Sequence, residues 1–491
     1  MKILFIYSGA ESLGIEYLSS FLESKGHPSE LLFDPAVFSG DLLLNNKFLS
    51  RIFSLDNQII QKAISSSPGL IAFSSYTGNY QWCLKIAEEI KKRSQIPIVF
   101  GGIHPTAAPQ EVLKNYFVDY VIIGEGEYAL LELAEQIADG KGEFSKISNL
   151  GYKSAKGGIY INEPRGYIKD LDSLPFPKKS LFYGKVPLLS ENYMITTSRG
   201  CPFNCNYCSN SMLHELYRQE NRHVRRRSPK NVIDELKWAK SNWNIRLVVF
   251  ADDVFTCSRA WLEEFIPIYK SEINLPFFCS VHPNAMSGEI AALLKEGGCW
   301  LVTMGVQSGS ERIRKEIFGR EGNNSRILES IKHVKEAGMK ISLDNIFGAP
   351  TENENDLQSG LELYEEARPD RILTFWLTYY PNTKIIDIAK DNHCLTETDI
   401  SNINNGITGF THGGGSVVDG KMKKTYLVHE LRFQLRALIN NDWLHKFILK
   451  MCLYFPSDFL VKIIVLLNAI KNRDVKMFYL MRYIWARKTV P

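Results

Sequence analysis

Two series of short apolar runs, separated by amphipathic stretches, fill most of this 491-residue chain, and that alternation is what most limits its fold. In the first series, residues 2–7, 70–74, 96–100 and 120–123 are rich in Ile, Val and Phe, and residues 14–25, 80–93 and 128–138 have helical periodicity between them. A strand that returns parallel to its predecessor needs a crossover long enough to hold a helix, so the alternation predicts a parallel sheet covered on both faces. Residues 1–140 are therefore expected to form an α/β, doubly wound (Rossmann-like) unit. Ligands of such sheets lie beyond the carboxyl ends of the strands, which here are loops 8–13, 74–79, 101–109 and 124–127.

Residues 141–190 contain Gly157-Gly158, Pro164, Pro175 and Pro177 with little periodicity, and read as a linker with a small hairpin. The second series places strands at 193–197, 246–250, 277–281, 301–306, 340–347 and 372–378, with helices such as 229–241, 288–296 and 325–337 between them. Six such units predict a partial (β/α)6 barrel over residues 191–420. Residues 421–491 read as a helical region.

Composition excludes disorder and fibrous classes: 45% of residues are hydrophobic and 23% charged. No run reaches the roughly 18 apolar residues that span a bilayer, and the most apolar tail segment is interrupted by Lys462 and Asn468. The first ten residues read as a strand and its loop rather than a signal peptide. Six of the nine cysteines (Cys83, Cys257, Cys279, Cys299, Cys394 and Cys452) stand isolated in mostly apolar surroundings, as small core residues do. That usage fits a reducing, cytoplasmic setting. Charge is uneven: residues 421–491 hold 14 Lys or Arg against 4 Asp or Glu, so the preceding 420 carry a net −6 within the overall +4.

The remaining three cysteines lie within eight residues: Ser198-Arg-Gly-Cys201-Pro-Phe-Asn-Cys205-Asn-Tyr-Cys208-Ser, directly after an expected strand. Three thiolates on one loop can hold three irons of a 4Fe–4S cubane and leave the fourth iron open to a substrate. A structural zinc site would need a fourth ligand, and only His214 and His223 stand near, at irregular spacing. An electron-transfer cluster would need a fourth cysteine, and the next is Cys257.

The C-x-x-x-C-x-x-C spacing, with an aromatic residue before the last cysteine, resembles the signature of the radical S-adenosylmethionine superfamily. The resemblance implies that S-adenosylmethionine chelates the open iron of a cluster held by Cys201, Cys205 and Cys208, and is cleaved to a 5′-deoxyadenosyl radical. It further implies Tyr207 against the adenine, Asp252 and Asp253 near the methionine amine, and the strand end Ser280–Asn284 near the ribose or carboxylate. Gln307, Ser308 and Glu311, in Gly305-Val-Gln-Ser-Gly-Ser-Glu311, resemble the later adenine and ribose motif. On the residues alone, Asp252 and Asp253 could equally cap the following helix.

The amino-terminal series holds Gly101-Gly-Ile-His104-Pro and Gly124-Glu-Gly-Glu127, where glycines at strand ends allow close backbone approach. Read physically, this is a ligand cleft that would also suit a nucleotide. The order of pieces resembles the cobalamin-binding domain that precedes the barrel in cobalamin-dependent radical S-adenosylmethionine enzymes. That resemblance implies that Ser74, Tyr76, Thr77, Gly101, Gly102, His104, Gly124, Glu125, Gly126 and Glu127 line the corrin. The Asp-x-His-x-x-Gly pattern that supplies cobalt with a lower ligand in many cobalamin proteins does not occur, and His104 reads as a residue that orders its loop. The radical methylthiotransferases also carry an α/β domain ahead of the barrel, but theirs supplies three cysteines, where this one has only Cys83.

The resemblance implies a cobalamin-dependent methyltransferase acting on an unactivated carbon through the adenosyl radical and methylcobalamin, with an external flavodoxin- or ferredoxin-type reductant. The alternatives are a cobalamin-dependent oxidation or cyclisation without methyl transfer, and a non-catalytic corrinoid or redox carrier. A small-molecule or lipid-like substrate is expected, and no nucleic-acid module is visible. The tail, where Trp443, Phe447, Tyr454, Phe455, Phe459, Tyr479 and Trp485 interleave with Lys and Arg, has the composition either of a segment on an anionic membrane surface or of a helical cap with a solvated basic face.

Overall fold

The computed structural model describes residues 1–36, 47–154, 156–220, 224–407, 420–454 and 458–472. The first sheet contains β1 (Ile3–Ser8), β2 (Ser29–Asp34), β3 (Leu70–Ser74), β4 (Ile98–Gly101), β5 (Tyr120–Ile122), β6 (Leu150–Lys153) and β7 (Ile159–Ile161), in the order β2-β1-β3-β4-β5-β6-β7. The first five strands are parallel, and the β6–β7 hairpin adds antiparallel to β5. Alternation along β1 sends Ile3, Phe5 and Tyr7 to one face and Leu4 and Ile6 to the other, each into a separate core. The first face packs on helices Leu13–Ser24 and Glu127–Ala138 and is continuous with the core of the second unit.

That unit runs β8 (Asn192–Ile195), β9 (Ser198–Arg199), β10 (Arg225–Arg226), β11 (Leu247–Phe250), β12 (Phe277–Val281), β13 (Cys299–Gln307), β14 (Lys340–Phe347) and β15 (Arg371–Trp376). Six of these strands form one parallel sheet ordered β15-β14-β13-β12-β11-β8, an open barrel, while β9 and β10 pair antiparallel beside it. The outer helices begin at polar caps that the sequence supplies repeatedly. Ser228, Ser258, Ser287, Asn323 and Asn353 each accept a hydrogen bond from a first-turn backbone N–H.

The two units are joined by buried charge. Lys179 Nζ, with a fully buried side chain, lies 2.7 Å from Glu11 Oε1 and 2.8 Å from Glu16 Oε2, and donates to the Met194 carbonyl at 2.7 Å. Beside it, Arg227 pairs with Glu235 at 2.6 Å and donates to the Tyr17 hydroxyl at 3.1 Å. Both carry the helix Leu13–Ser24 onto the first barrel strand.

Three tail helices follow, Gly420–Leu438, Asp442–Tyr454 and Asp458–Lys471. The first packs on β15 and the helix Glu354–Ala367, and the other two pack on its far side. Among the described residues no helix is long and apolar enough to cross a membrane. Phe455, Tyr479, Trp485 and His223 lie outside the described residues. Cys83, Cys279 and Cys299 are buried as expected of core residues, whereas Cys257, Cys394 and Cys452 are only half-buried.

Candidate cofactor cleft between the two units

The cysteine loop leaves the barrel after β8 and is held at both ends. Asp252, at the end of β11, is 3% exposed and accepts from the Thr197 N–H at 3.1 Å, from the Thr197 hydroxyl at 2.8 Å, and from the Ser198 hydroxyl. Through these bonds Asp252 fastens the start of the loop to the end of β11. Neither aspartate caps the next helix, because Ser258 does. Asp253 is the acid that faces the cysteines, and its carboxyl is pushed up by burial, with Asn210 opposing and Asp252 adding.

Gly200 turns the chain with φ +92°, a left-handed conformation that favours glycine. Cys201, Cys205 and Cys208 follow as free thiols, and helix Ser209–Leu216 begins directly after Cys208. Burial pushes the Cys201 thiol up to about 12, the Phe203 N–H opposing, with Asp253 and the other two cysteines adding. Burial likewise raises Cys208. Buried thiols whose ionised forms would repel one another are what a cationic iron centre would stabilise as thiolates. The loop's far side is stitched to the segment after β13. Asn206 N–H donates to the Phe318 carbonyl at 2.9 Å and its amide to Ile317 at 3.0 Å.

One residue at this site, Arg320, carried no functional signal of its own in the sequence, whereas His282 falls in the expected strand end 280–284. Arg320, 8% exposed, donates to Cys205 Sγ at 3.3 Å, to the Tyr207 hydroxyl at 3.2 Å and to the Gly305 carbonyl at 2.5 Å. His282, at the end of β12, stacks on Phe203 of the cysteine loop at 3.6 Å between ring centres. Its Nδ1 lies 3.1 Å from the Asn284 N–H, and burial followed by the Arg320 charge lowers its pKa to about 3. Tyr207 packs edge-on to Phe318. Ser280 is half-buried two residues before His282, and Gln307 is held at φ +73° where β13 leaves register with β14. Ser308 is buried, its hydroxyl accepting from the Ser310 N–H at 3.2 Å. Glu311 accepts from the Asn324 N–H at 2.7 Å, at the start of a helix.

Across from this loop stand the carboxyl ends of β3, β4 and β5. Tyr76 is exposed at its tip, Ser74 and Gly101 are half-buried, and Gly126 packs on Leu18. Thr77 and His104 are 2% and 1% exposed and meet at 3.1 Å between Oγ1 and Nδ1, so they lock two loops together instead of lining the cleft. Burial lowers the His104 pKa to about 4, and its ring lies 4.0 Å from that of Tyr80. Glycine is required at 102 and 124 by the protein's own packing. A Cβ at Gly102 would lie 2.5 Å from the Ser75 carbonyl oxygen, and one at Gly124 would lie 2.1 Å from the Tyr217 hydroxyl, both at positive φ. Thr106, absent from the expected set, bridges the loops by donating to the Gly102 carbonyl at 2.8 Å and accepting from the Gly124 N–H at 2.9 Å.

The two halves meet in one cleft of about 280 Å³. The sheet loops contribute Gly102, Ile103, Thr106, Gly124 and Glu125. The cysteine loop and its helix contribute Arg199, Gly200, Asn210, His214 and Tyr217. Arg199, two residues before Cys201, pairs with Glu125 at 3.1 Å and Glu127 at 2.6 Å, and Arg225 adds a second bond to Glu125 at 2.8 Å. Glu127 is thereby withdrawn from the cleft at 4% exposure, while Glu125 stays in its wall. The wall of this cleft joins the sheet-end loops to the residues that flank the three cysteines, which is where a corrin held on the sheet ends would meet a cluster held by Cys201, Cys205 and Cys208.

Residues 195–363 match the Radical SAM superfamily, and residues 6–134 match the B12 binding domain. The chain is 27% identical over 417 residues to an uncharacterized methyltransferase of Pyrococcus horikoshii, covering 80% of this chain and 84% of that protein. It is 24% identical over 400 residues to cytidylyl-2-hydroxyethylphosphonate methyltransferase of Streptomyces wedmorensis, covering 72% and 73%. In fold it is similar to the cobalamin-dependent S-adenosylmethionine radical enzyme OxsB, with TM-score 0.67 and 15% identity over 99% of this chain and 80% of that one. It is also similar to the radical S-adenosylmethionine methyltransferase TsrM of Kitasatospora setae, with TM-score 0.62 and 18% identity over 79% and 76%. The cofactors of such a chain are a 4Fe–4S cluster, S-adenosylmethionine and cobalamin. With its cysteine loop facing the sheet ends of a B12-binding domain, the chain belongs to the radical S-adenosylmethionine superfamily, among the enzymes that join a cobalamin domain to the barrel.

Proposed function

We propose that the protein transfers a methyl group to an unactivated carbon of a small molecule. The observation that carries this reading is the shared cleft, whose wall is built from both the cobalamin-side loops and the cysteine loop. When bound, the cluster and S-adenosylmethionine supply a radical that removes a hydrogen atom from carbon, and cobalamin supplies the methyl group. The protein's residues hold these parts together and keep water out. Residues 1–140 carry the corrin on Tyr76, Gly101, Gly102, Gly124 and Glu125. Residues 191–420 carry the cluster on Cys201, Cys205 and Cys208. Asp253, Ser280 and Gln307 line the space for S-adenosylmethionine, and Arg320 steadies Tyr207 and Cys205. The Phe203–His282 stack closes one side with a neutral imidazole.

The test is anaerobic turnover of protein reconstituted with iron, sulfide and hydroxocobalamin, supplied with a one-electron reductant. Methyl transfer requires S-adenosylhomocysteine and 5′-deoxyadenosine to accumulate in about equal amounts, one from each of two S-adenosylmethionine molecules. 5′-Deoxyadenosine without S-adenosylhomocysteine would replace methylation with a cobalamin-dependent oxidation or cyclisation. Cys201→Ala, Cys205→Ala and Cys208→Ala should each abolish both products, and normal turnover in any of them removes the cluster assignment.

A further inference from the structure

The second and third tail helices bury one face and leave the other open. Ile448, Leu449, Cys452 and Leu453 pack inward with Leu431, Leu435, Val461 and Ile464. Outward on the second helix stand Trp443, Leu444, Phe447, Met451 and Tyr454, with Trp443 74% exposed and its ring stacked on Phe447 at 5.6 Å. On the third stand Phe459, Ile463, Leu466, Leu467 and Ile470, with Phe459 73% exposed. Both rows repeat at three and four residues, so each is one continuous helix face and not scattered surface positions. Lys446, Lys450 and Lys462 are exposed among them. A double apolar stripe of this kind is far from the single exposed side chains that ordinary surfaces carry.

We infer that this face docks on an anionic phospholipid surface. Charge decides between occupants. The two helices hold Lys446, Lys450, Lys462 and Lys471 against Asp442 and Asp458, within a segment 421–491 of 14 Lys or Arg against 4 Asp or Glu, so a second copy seated here would bring two basic faces together. An anionic bilayer instead attracts the lysines while its interface receives the Trp, Phe and Leu side chains. The helices lie on such a surface and do not cross it, since none of the described helices is long and apolar enough. Docking is independent of the reaction proposed for the cleft. It brings substrates dissolved in, or released from, the bilayer to the enzyme.

The experiment is co-sedimentation of the full chain with vesicles of phosphatidylcholine alone or with roughly 30% phosphatidylglycerol. Binding to the anionic vesicles is expected, about tenfold or more weaker to the neutral ones, and falling as salt rises. The triple variant Trp443→Ser, Phe447→Ser, Phe459→Ser removes only exposed side chains and should keep its circular dichroism and melting temperature while losing about tenfold or more in binding. Lys446→Gln, Lys450→Gln, Lys462→Gln should reduce the preference for anionic vesicles. The inference is overturned if the wild-type chain stays in the supernatant with anionic vesicles, if it binds both compositions equally, or if the Ser triple binds like wild type. It is equally overturned if the wild-type chain forms a dimer that Phe447→Ser abolishes, because the occupant is then a second copy.

Discussion

Arg320 places its guanidinium 3.3 Å from Cys205 Sγ, and the same group reaches the Tyr207 hydroxyl at 3.2 Å. A fixed cation beside one cluster ligand stabilises the more negative, reduced cluster, because the charge acts in a low-dielectric site. Arg320→Ala should therefore retain four irons yet shift the cluster midpoint negative by on the order of tens of millivolts. Redox titration followed by electron paramagnetic resonance measures this, and an unchanged potential would limit Arg320 to packing.

Gly124 and Tyr217 form a second checkable pair. An alanine at 124 meets the Tyr217 hydroxyl and must hold φ +71°. Gly124→Ala should destabilise by about 1–3 kcal/mol. Adding Tyr217→Phe should recover part of that loss, though the ring carbon behind the hydroxyl still sits 3.1 Å from the new methyl. Thermal melts of the two single variants and the double variant give the coupling.

His104 makes the fold acid-sensitive. Its folded pKa is lowered to about 4 by burial, against about 6.5 in an unfolded chain. The unfolded state therefore binds more protons between those values. Stability is complete above about pH 6.5 and falls as pH drops towards 4, by on the order of 3 kcal/mol from this group. Urea melts across that range should show the slope, and His104→Gln should flatten it by one proton.

Lys179 is the only cation contacting the buried carboxylates of Glu11 and Glu16 in the described ion pairs. Lys179→Met should cost about 3–5 kcal/mol, because it strands two acids in a site closed to water. Burial already raises the Glu16 pKa in the intact protein. An acid with a raised folded pKa favours the folded state at low pH, and this stability is lost as pH rises through the shifted value. The variant should therefore be more stable at pH 6 than at pH 8, opposite in direction to the His104 effect.

Much of the architecture was legible because local signals agreed. Leu70–Ser74, Phe277–Val281 and Lys340–Phe347 are strands with the bounds their apolar runs predict, and Gly288–Glu296 is a helix as its periodicity predicts. The edge strand β2 passed unnoticed. Ser29–Asp34 has only one continuous apolar stretch of three residues, and a strand paired on one side needs less. At the site, the three cysteines announce themselves by spacing. Arg320 does not, since an arginine after a helical turn looks like any surface arginine until the chain folds it against Cys205. Asp252 and Glu311 illustrate the converse. Their positions beyond the ends of β11 and β13 were readable, but which polar group each carboxylate serves is settled by loops that no local pattern encodes.

Arg199 leads from these contacts to a thermodynamic statement about the whole molecule. It stands two residues before Cys201 and is clasped by Glu125 and Glu127, so anything that moves the loop after β5 must also move the backbone that presents the first thiolate. Two ligands linked through one such element obey reciprocity: the factor by which one alters the other's affinity is the same in either direction. Loading the protein with corrinoid should then alter its hold on S-adenosylmethionine by the same ratio that S-adenosylmethionine alters its hold on corrinoid, and a chain carrying Arg199→Ala should bind each as though the other were not there.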